Sequence, residues 1–241
     1  MNRMSLMTFK FRQSRRLLGA ACLTVASALI SLPAAAQGNW PTKPVRIVVP
    51  FAAGGVQDIL ARAMNAELGT ALGQTVIVEN RAGAGGTVGT AFVAKSEPDG
   101  TTLVLSAASH NIAGSLYTKL AYDPQKDFAP LAHIGTAGYV LMIHPDVPAK
   151  NVAEFIRYAK ANPGKMNYAT AGMGSATHLS MAYFNGLAGI DLVHVPLKAT
   201  GEAINEVISG RAHAVIAASI GALAFAKDSR IRLLGVTSPK R

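Results

Sequence analysis

Apolar positions in the chain fall into short β-branched runs, and stretches with helical spacing separate these runs. The run VRIVV at 45–49 is followed by a segment with Leu60, Met64 and Leu68 on one helical face. Strand and helix alternating in this way predict parallel sheets with helices on both faces. We predict strands at 45–50, 75–79, 102–106, 139–144, 166–170, 192–195, 214–218 and 231–236, and helices at 58–72, 87–95, 151–161, 179–187 and 200–209.

The strand–helix units fall into two sets. The segment 121–130, rich in Asp, Lys and Pro, separates them. This break predicts an α/β protein of two lobes, each a mostly parallel sheet flanked by helices. Lobe 1 is predicted to cover 37–130, and lobe 2 is predicted to cover 131–230.

The N-terminal segment has the pattern of an export signal. A basic start is followed by an uncharged run over 17–36 that ends Pro-Ala-Ala-Ala. We predict cleavage after Ala36, by the general secretory route rather than the twin-arginine route, with an uncleaved membrane anchor as the alternative. Cys22, the only cysteine, lies inside this segment, so residues 37–241 carry no thiol for a disulfide, a nucleophile or a metal site.

Charge and aromatic content argue against a nucleic-acid-binding protein. The formal net charge is +10, but five of the basic residues lie in the first sixteen positions. Aromatic residues make up only 6% of the chain, and no basic face interleaved with aromatics follows.

Two glycine-rich loops are the main candidates for ligand binding. Residues 51–56 and 171–177 each follow a predicted strand and open a predicted helix. Ligands of open α/β sheets bind at the carboxyl ends of strands, and the free N–H groups of a helix start favour an anion. Two such loops on facing lobes would clamp a carboxylate, and Lys198, after another strand, is a further candidate contact for an anion.

Motifs for other chemistry are weak. The glycines at 83–89 lack the spacing of a dinucleotide fingerprint, and no histidine pair has metal-ligand spacing. Ser175 does not lie in a G-x-S-x-G elbow. We therefore predict no catalytic residue, no metal and no cofactor. A secreted serine hydrolase using Ser175 and His178 stays open as an alternative.

Several motifs in order resemble one family. They are W-P-x-K-P-V-R-I-V-V-P-F-x-x-G-G-x-x-D at 40–58, V-E-N-R-x-G-A-G-G at 78–86, P-D-G at 98–100, Y-D-P-x-K-D-F at 122–128 and H-V-P-x-K at 194–198. This combination resembles the Bug receptors, the substrate-binding proteins of tripartite tricarboxylate transporters. The resemblance implies a type II-like periplasmic-binding-protein fold that closes on a small carboxylic acid: a di- or tricarboxylate, an acidic amino acid or an aromatic acid.

The resemblance also implies site residues and partners. Main-chain amides and ordered waters of the two loops would hold the ligand, in a monomer that meets membrane permease subunits in the periplasm. A periplasmic sensor subunit is an alternative with the same fold. Carried onto this chain, the ligand-binding residues are Phe51, Gly54, Gly55, Val56 and Asp58 in lobe 1, and Gly172, Gly174, Ser175, Thr177 and His178 in lobe 2.

The chain departs from the family pattern at the loops and at its end. Ala52-Ala53 stands where the family commonly has Pro-Pro, and Leu197 stands where an aromatic is usual. Members usually run several tens of residues further. We therefore expect 231–241 to be a strand returning to lobe 1, with the remainder of that lobe missing.

Overall fold

The computed structural model describes residues 40–238, and the predicted export segment lies outside that range. The first sheet has three parallel strands, β1 (Val45–Val49), β2 (Val76–Asn80) and β3 (Thr102–Val104), in the order β2-β1-β3. All three strands therefore end at the same edge of the sheet, which places the loops that follow them side by side.

The second sheet has five strands. They are β4 (Tyr139–Ile143), β5 (Met166–Thr170), β6 (Leu192–Pro196), β7 (Ala214–Ala218) and β8 (Arg232–Val236), in the order β6-β5-β7-β4-β8. Strand β5 runs parallel to β6 and β7, whereas β4 runs antiparallel to β7 and β8. The loops after β5, β6 and β7 share one edge of this sheet.

The last strand corrects one prediction. Strand β8 pairs along β4 in the second sheet, with Val140 opposite Val236 and Ile143 opposite Arg232. The prediction that 231–241 returns to the first lobe is therefore wrong for β8. Its side chains explain the pairing, because Ile231 and Leu233 join the apolar cluster on one face of this sheet and Leu234 joins the cluster on the other.

Seven α-helices accompany the strands within residues 40–238: α1 (Val56–Leu72), α2 (Thr87–Ala94), α3 (Ala108–Leu116), α4 (Val152–Ala161), α5 (Ala176–Ala188), α6 (Thr200–Ile208) and α7 (Ser219–Leu223). A 3-10 turn at Ala84–Gly86 precedes α2. Helices α3 and α7 were not predicted. The sequence of α3, ASHNIAGSL, is dominated by small and polar residues, and α7 directly follows the strand predicted at 214–218 in the same apolar run. No helix in this described part is long and apolar enough to cross a bilayer.

The second sheet has an apolar cluster on each face, which is why β4 and β7 in its centre are continuous apolar runs. Leu141 and Ile143 face a cluster that contains Phe155 of α4 and Met181 of α5. Their neighbours on β4 face the opposite cluster, where α6 packs. Phe155 and Met181 are fully buried, and burial of such a side chain contributes about 1.5–3 kcal/mol. This core holds the carboxyl-end loops in place.

Candidate functional site

The first glycine loop follows β1 and is fixed by a carboxylate one turn into α1. Gly54 has φ +79°, a left-handed conformation that suits glycine. Its N–H donates to Asp58 Oδ2 at 2.9 Å. The Asn80 side-chain amide at the end of β2 donates to Asp58 Oδ1 at 3.0 Å and to the Phe51 carbonyl at 3.1 Å. The loop is thus tied both to α1 and to β2.

The carboxylate of Asp58 is engaged by protein donors and is not exposed to the crevice. Its side chain is buried, and Arg62 Nε lies 3.0 Å from each carboxylate oxygen. Burial acts to raise the pKa of Asp58, but hydrogen bonds from Arg62, the Gly54 N–H and Asn80 outweigh it, so the pKa lies below the ordinary value. Both oxygens are engaged by protein donors, so Asp58 shapes the loop on which a ligand would rest.

The second glycine loop connects β5 to α5 and uses several of its own N–H groups. Ser175 is the N-cap of α5, and its Oγ accepts from the His178 N–H at 3.3 Å. The Gly172 N–H donates to Thr170 Oγ1 at 3.1 Å, and the Gly174 N–H donates to His178 Nδ1 at 3.2 Å. Gly172 and Gly174, both predicted as ligand contacts, therefore donate within the loop in this conformation.

Two neutral histidines support this loop. The rings of His178 and His194 lie 4.3 Å apart, and His194 Nε2 lies 2.6 Å from Thr170 Oγ1. Burial lowers the pKa of His178. Burial and the neighbouring His178 lower the pKa of His194 to about 4. Because Gly174 donates to His178 Nδ1, that nitrogen carries no proton, and its proton must lie on Nε2.

Ser175 and His178 do not form a nucleophile–base pair in this arrangement. Ser175 Oγ lies 2.9 Å from Thr177 Oγ1 and is buried, while His178 Nδ1 is occupied by the Gly174 N–H. The Thr177 hydroxyl in turn accepts from the Ala171 N–H at 2.9 Å. These hydroxyls act as caps and loop ties, which is the ordinary role of Ser and Thr at a helix start.

The loops of the two sheets meet. The Ala52 N–H lies 3.4 Å from the Lys198 carbonyl, and the Tyr117 hydroxyl bridges the Ala84 carbonyl at 3.1 Å and the Met173 carbonyl at 3.0 Å. Contact is closest at Gly85, where an added Cβ would lie 2.1 Å from the Met173 carbonyl oxygen. Ala52 of the first predicted loop and Met173 of the second therefore both lie at the contact between the two lobes, here called the crevice.

A small cavity lies in this crevice, lined mainly from the first sheet. Hydroxyl-bearing residues Thr87, Ser106, Ser109 and Tyr117 contribute to it, together with Gly174 from the second sheet. Its volume of about 10 Å³ is room for one water molecule. Sequence analysis missed these hydroxyl-bearing residues. The available signal was the position of Ser106 two residues after β3 and of Ser109 in the next turn of chain, at the edge where ligands bind.

The remaining predicted residues take different positions. Phe51 is 6% exposed and packs in the core of the first lobe beside Ala171. Lys198 is exposed, and its N–H donates to Glu202 Oε2 at 3.1 Å. Phe51 thus packs in the core in this conformation, whereas Lys198 is exposed and its carbonyl contacts the first loop.

Both helix starts retain unpaired main-chain donors. Of the hydrogen bonds formed within residues 40–238, none uses the N–H groups of Gly55, Val56 or Gln57 at α1, nor those of Ala176 or Thr177 at α5. The positive ends of both helix dipoles add to these donors. Such an arrangement can bind an anion. Across the same described range, no group of three or more His, Cys, Asp or Glu side chains could hold a metal ion.

Comparison with known proteins identifies the family. The family profile described as tripartite tricarboxylate transporter family receptor matches residues 60–241. Protein BugT of Bordetella pertussis (strain Tohama I) is 34% identical over 228 residues, covering 94% of this chain and 70% of BugT.

Two solved structures from Rhodopseudomonas palustris each superpose with a TM-score of 0.80 at 33% identity over 84% of this chain. One is Rpa4515 with adipate, of which 68% is covered, and the other is MatC with bound malate, of which 69% is covered. The chain thus spans about two thirds of the length of these relatives. It has the two-lobed periplasmic-binding-protein fold and belongs to the tripartite tricarboxylate transporter receptor family, the Bug receptors.

Proposed function

We propose that this chain is a periplasmic receptor that binds a small carboxylic acid between its two glycine loops. It would hand the acid to the membrane permease subunits of a tripartite tricarboxylate transporter. The ligand class covers di- and tricarboxylates, acidic amino acids and aromatic acids. Malate and adipate, bound by the two Rhodopseudomonas relatives, support this class.

The observation that carries the proposal is the pair of helix starts with free main-chain donors, one after each glycine loop. Gly55, Val56 and Gln57 offer N–H groups from one lobe, and Ala176 and Thr177 offer them from the other. A carboxylate accepts hydrogen bonds only, so it fits a site made of donors. Lys198, which is exposed and contacts the first loop through its carbonyl, adds a positive charge that would draw anions to the crevice.

The closed crevice requires motion for entry. A cavity of about 10 Å³ cannot hold a four-carbon acid, so the contact between Gly85 and Met173 must open for binding. Opening and closing of lobes around a ligand is a hinge motion in which the ligand stabilises the state it contacts from both sides. The Tyr117 hydroxyl, which joins both loops, would have to release one carbonyl during this motion.

The first experiment tests the charge requirement. Calorimetric titration with succinate, malate, adipate, citrate and benzoate is expected to show binding of at least one acid. Succinamide, which has nearly the shape of succinate but no charge, serves as the control and should not bind. If no acid binds, or if succinamide matches succinate, the proposal fails.

The second experiment removes single N–H groups without disturbing the helices. Val56 and Ala176 are the first residues of α1 and α5, where proline is well tolerated. The residues before them are extended, at ψ 167° and 159°, as a following proline requires.

Val56→Pro or Ala176→Pro should weaken acid binding by at least ~10-fold, the value of a hydrogen bond to a charged group. Val56→Ala keeps the N–H and should bind like the parent. Equal affinity in all three variants would show that these amides do not hold the ligand.

Location and partner need their own tests. Mass spectrometry of protein recovered from a periplasmic extract should show a mature N-terminus at Gln37. Acid uptake that depends on both this chain and a membrane permease would support transport. Binding without any effect on uptake would favour the sensor role.

A further inference from the structure

His110 carries a buried nitrogen with no hydrogen-bond partner. Of the side-chain polar atoms buried within residues 40–238, only His110 Nδ1 and Asn185 Oδ1 lack a partner. His110 lies in the first turn of α3 and lines the cavity between the lobes. An unpaired buried acceptor or donor costs about 1–3 kcal/mol, so its retention beside a cavity requires an explanation.

The hydrogen bond of the other ring nitrogen, Nε2, determines whether Nδ1 carries a proton. His110 Nε2 lies 3.0 Å from the Pro124 carbonyl oxygen. A carbonyl only accepts hydrogen bonds, so Nε2 must carry a proton, and in the neutral ring Nδ1 is then a free acceptor. The ring is held between Tyr122, stacked at 6.1 Å, and Phe128, edge-on at 4.8 Å. The position of Nδ1 is therefore fixed.

Two of the hydroxyls at this cavity are already engaged, and no hydrogen bond joins the hydroxyl of Ser106 or Ser109, which also line it, to this atom within residues 40–238. The hydroxyl of Thr90, which lines the same cavity, donates to the Gly86 carbonyl at 2.8 Å. The Tyr117 hydroxyl is engaged with two carbonyls. A molecule that enters the cavity is therefore a candidate donor to Nδ1.

We propose that His110 Nδ1 accepts a hydrogen bond from a hydroxyl or amino group of the bound acid, which makes His110 a specificity-determining residue. The inference rests on the proposed function. A carboxylate has no proton to donate, so an acid with only carboxylates leaves Nδ1 unpaired. The preferred ligands are therefore hydroxy- or amino-substituted carboxylic acids. A site built to bond a substrate hydroxyl discriminates strongly against the analogue that lacks it.

The test compares acids that differ by one group. Titration of the protein with L-malate, L-aspartate and succinate is expected to show malate or aspartate binding at least ~10-fold tighter than succinate. Acid binding with no such preference would overturn the inference and leave the proposed function standing. Failure of every acid to bind would overturn both.

Two substitutions distinguish the role of Nδ1 from that of Nε2. In His110→Gln the amide can replace Nε2 as donor to Pro124, but nothing replaces Nδ1. In His110→Asn the side-chain oxygen lies near the place of Nδ1. We expect His110→Gln to bring the ratio of malate to succinate affinity to within ~3-fold of unity, and His110→Asn to retain the preference.

His133→Gln, at an exposed position, serves as the control, and unfolding midpoints check that each variant folds. If the ratio is the same in His110→Gln as in the parent, a water molecule rather than the ligand satisfies Nδ1, and the inference is wrong.

Discussion

Removing the charge of Asp58 should loosen the first glycine loop and destabilise the fold. The buried carboxylate accepts hydrogen bonds from Gly54, Arg62 and Asn80. Asp58→Asn keeps the shape but leaves one accepting oxygen, and its new NH₂ faces groups that themselves donate. The chain would then lose at least one hydrogen bond to a charged group and leave a buried donor unpaired.

The size of the effect follows from the exposure of each partner. Hydrogen bonds to charged groups contribute about 1.5–3 kcal/mol, but the Arg62 side chain is 51% exposed, so its share is below about 1 kcal/mol. We expect a loss of about 2–3 kcal/mol in the free energy of unfolding, measured in urea at pH 7. Glu206→Gln is the matched control, because the ion pair of Glu206 with Arg211 lies at the surface, where it is screened by solvent and should contribute little.

The pH dependence gives an independent test of the same reasoning. The pKa of Asp58 is lowered in the folded protein, so its stabilising contribution is present above the ordinary pKa of 3.8 and is lost as the pH falls through the folded value. The difference between the parent and Asp58→Asn should therefore shrink below about pH 4. A loss no larger than that of Glu206→Gln, or a difference that stays constant into acid, would refute the anchoring role.

Three further predictions concern the closed crevice and its supports. Gly85→Ala should open the crevice and raise the radius of gyration measured by X-ray scattering, because its Cβ would meet a carbonyl at 2.1 Å; Gly73→Ala has the same φ of +64° but open space, and should not. The pKa of His194 is about 4, below the ordinary 6.5, so the folded state becomes less stable as the pH drops from 6.5 to 4. The free energy of unfolding should fall by about 1–2 kcal/mol over this range, after allowance for partial exposure of the ring. His194→Gln should flatten this pH profile, whereas the control His133→Gln, at an exposed position, should leave it unchanged. Ser175→Ala should lower stability by about 1 kcal/mol through loss of the helix cap, and parent and variant alike should show no ester hydrolysis. An unchanged radius of gyration in Gly85→Ala would contradict the first prediction, and an unchanged pH profile in His194→Gln would contradict the second. Measurable ester hydrolysis by either protein would contradict the third.

Local features of the fold could be predicted because their causes lie in neighbouring residues. The helix predicted at 151–161 opens with Asn151 and has Glu154 three positions on, which is the pattern of a capping box. The structure confirms it, with the Glu154 N–H donating to Asn151 Oδ1 at 2.9 Å and the Asn151 amide donating back to Glu154 Oε1 at 2.8 Å. The alternation of strands and helices was also predictable, because most strands contain a short apolar run and the helices between them have helical apolar spacing.

The partner of a strand depends on tertiary packing and could not be predicted. The sequence of β8, RLLGV, would suit either sheet. It pairs with β4 because Ile231, Leu233 and Leu234 find apolar clusters on the two faces of the second sheet. The antiparallel direction of β4 likewise could not be predicted, since an all-apolar strand such as YVLMI carries no signal of its direction in the sheet. Helix α3 was missed because small polar residues give no apolar period.

The distinction between glycines and free amides explains why the candidate site was predicted only in part. A glycine-rich loop shows that backbone can approach closely, but it does not show which N–H groups remain free. In the second loop the side chains of Thr170 and His178 accept hydrogen bonds from the N–H groups of Gly172 and Gly174. The free donors lie one step further along, at Ala176 and Thr177, where the helix geometry leaves the first N–H groups without partners. Donors of this kind depend on backbone conformation rather than on side-chain identity, so only variants that remove an N–H group, such as Ala176→Pro, test them directly.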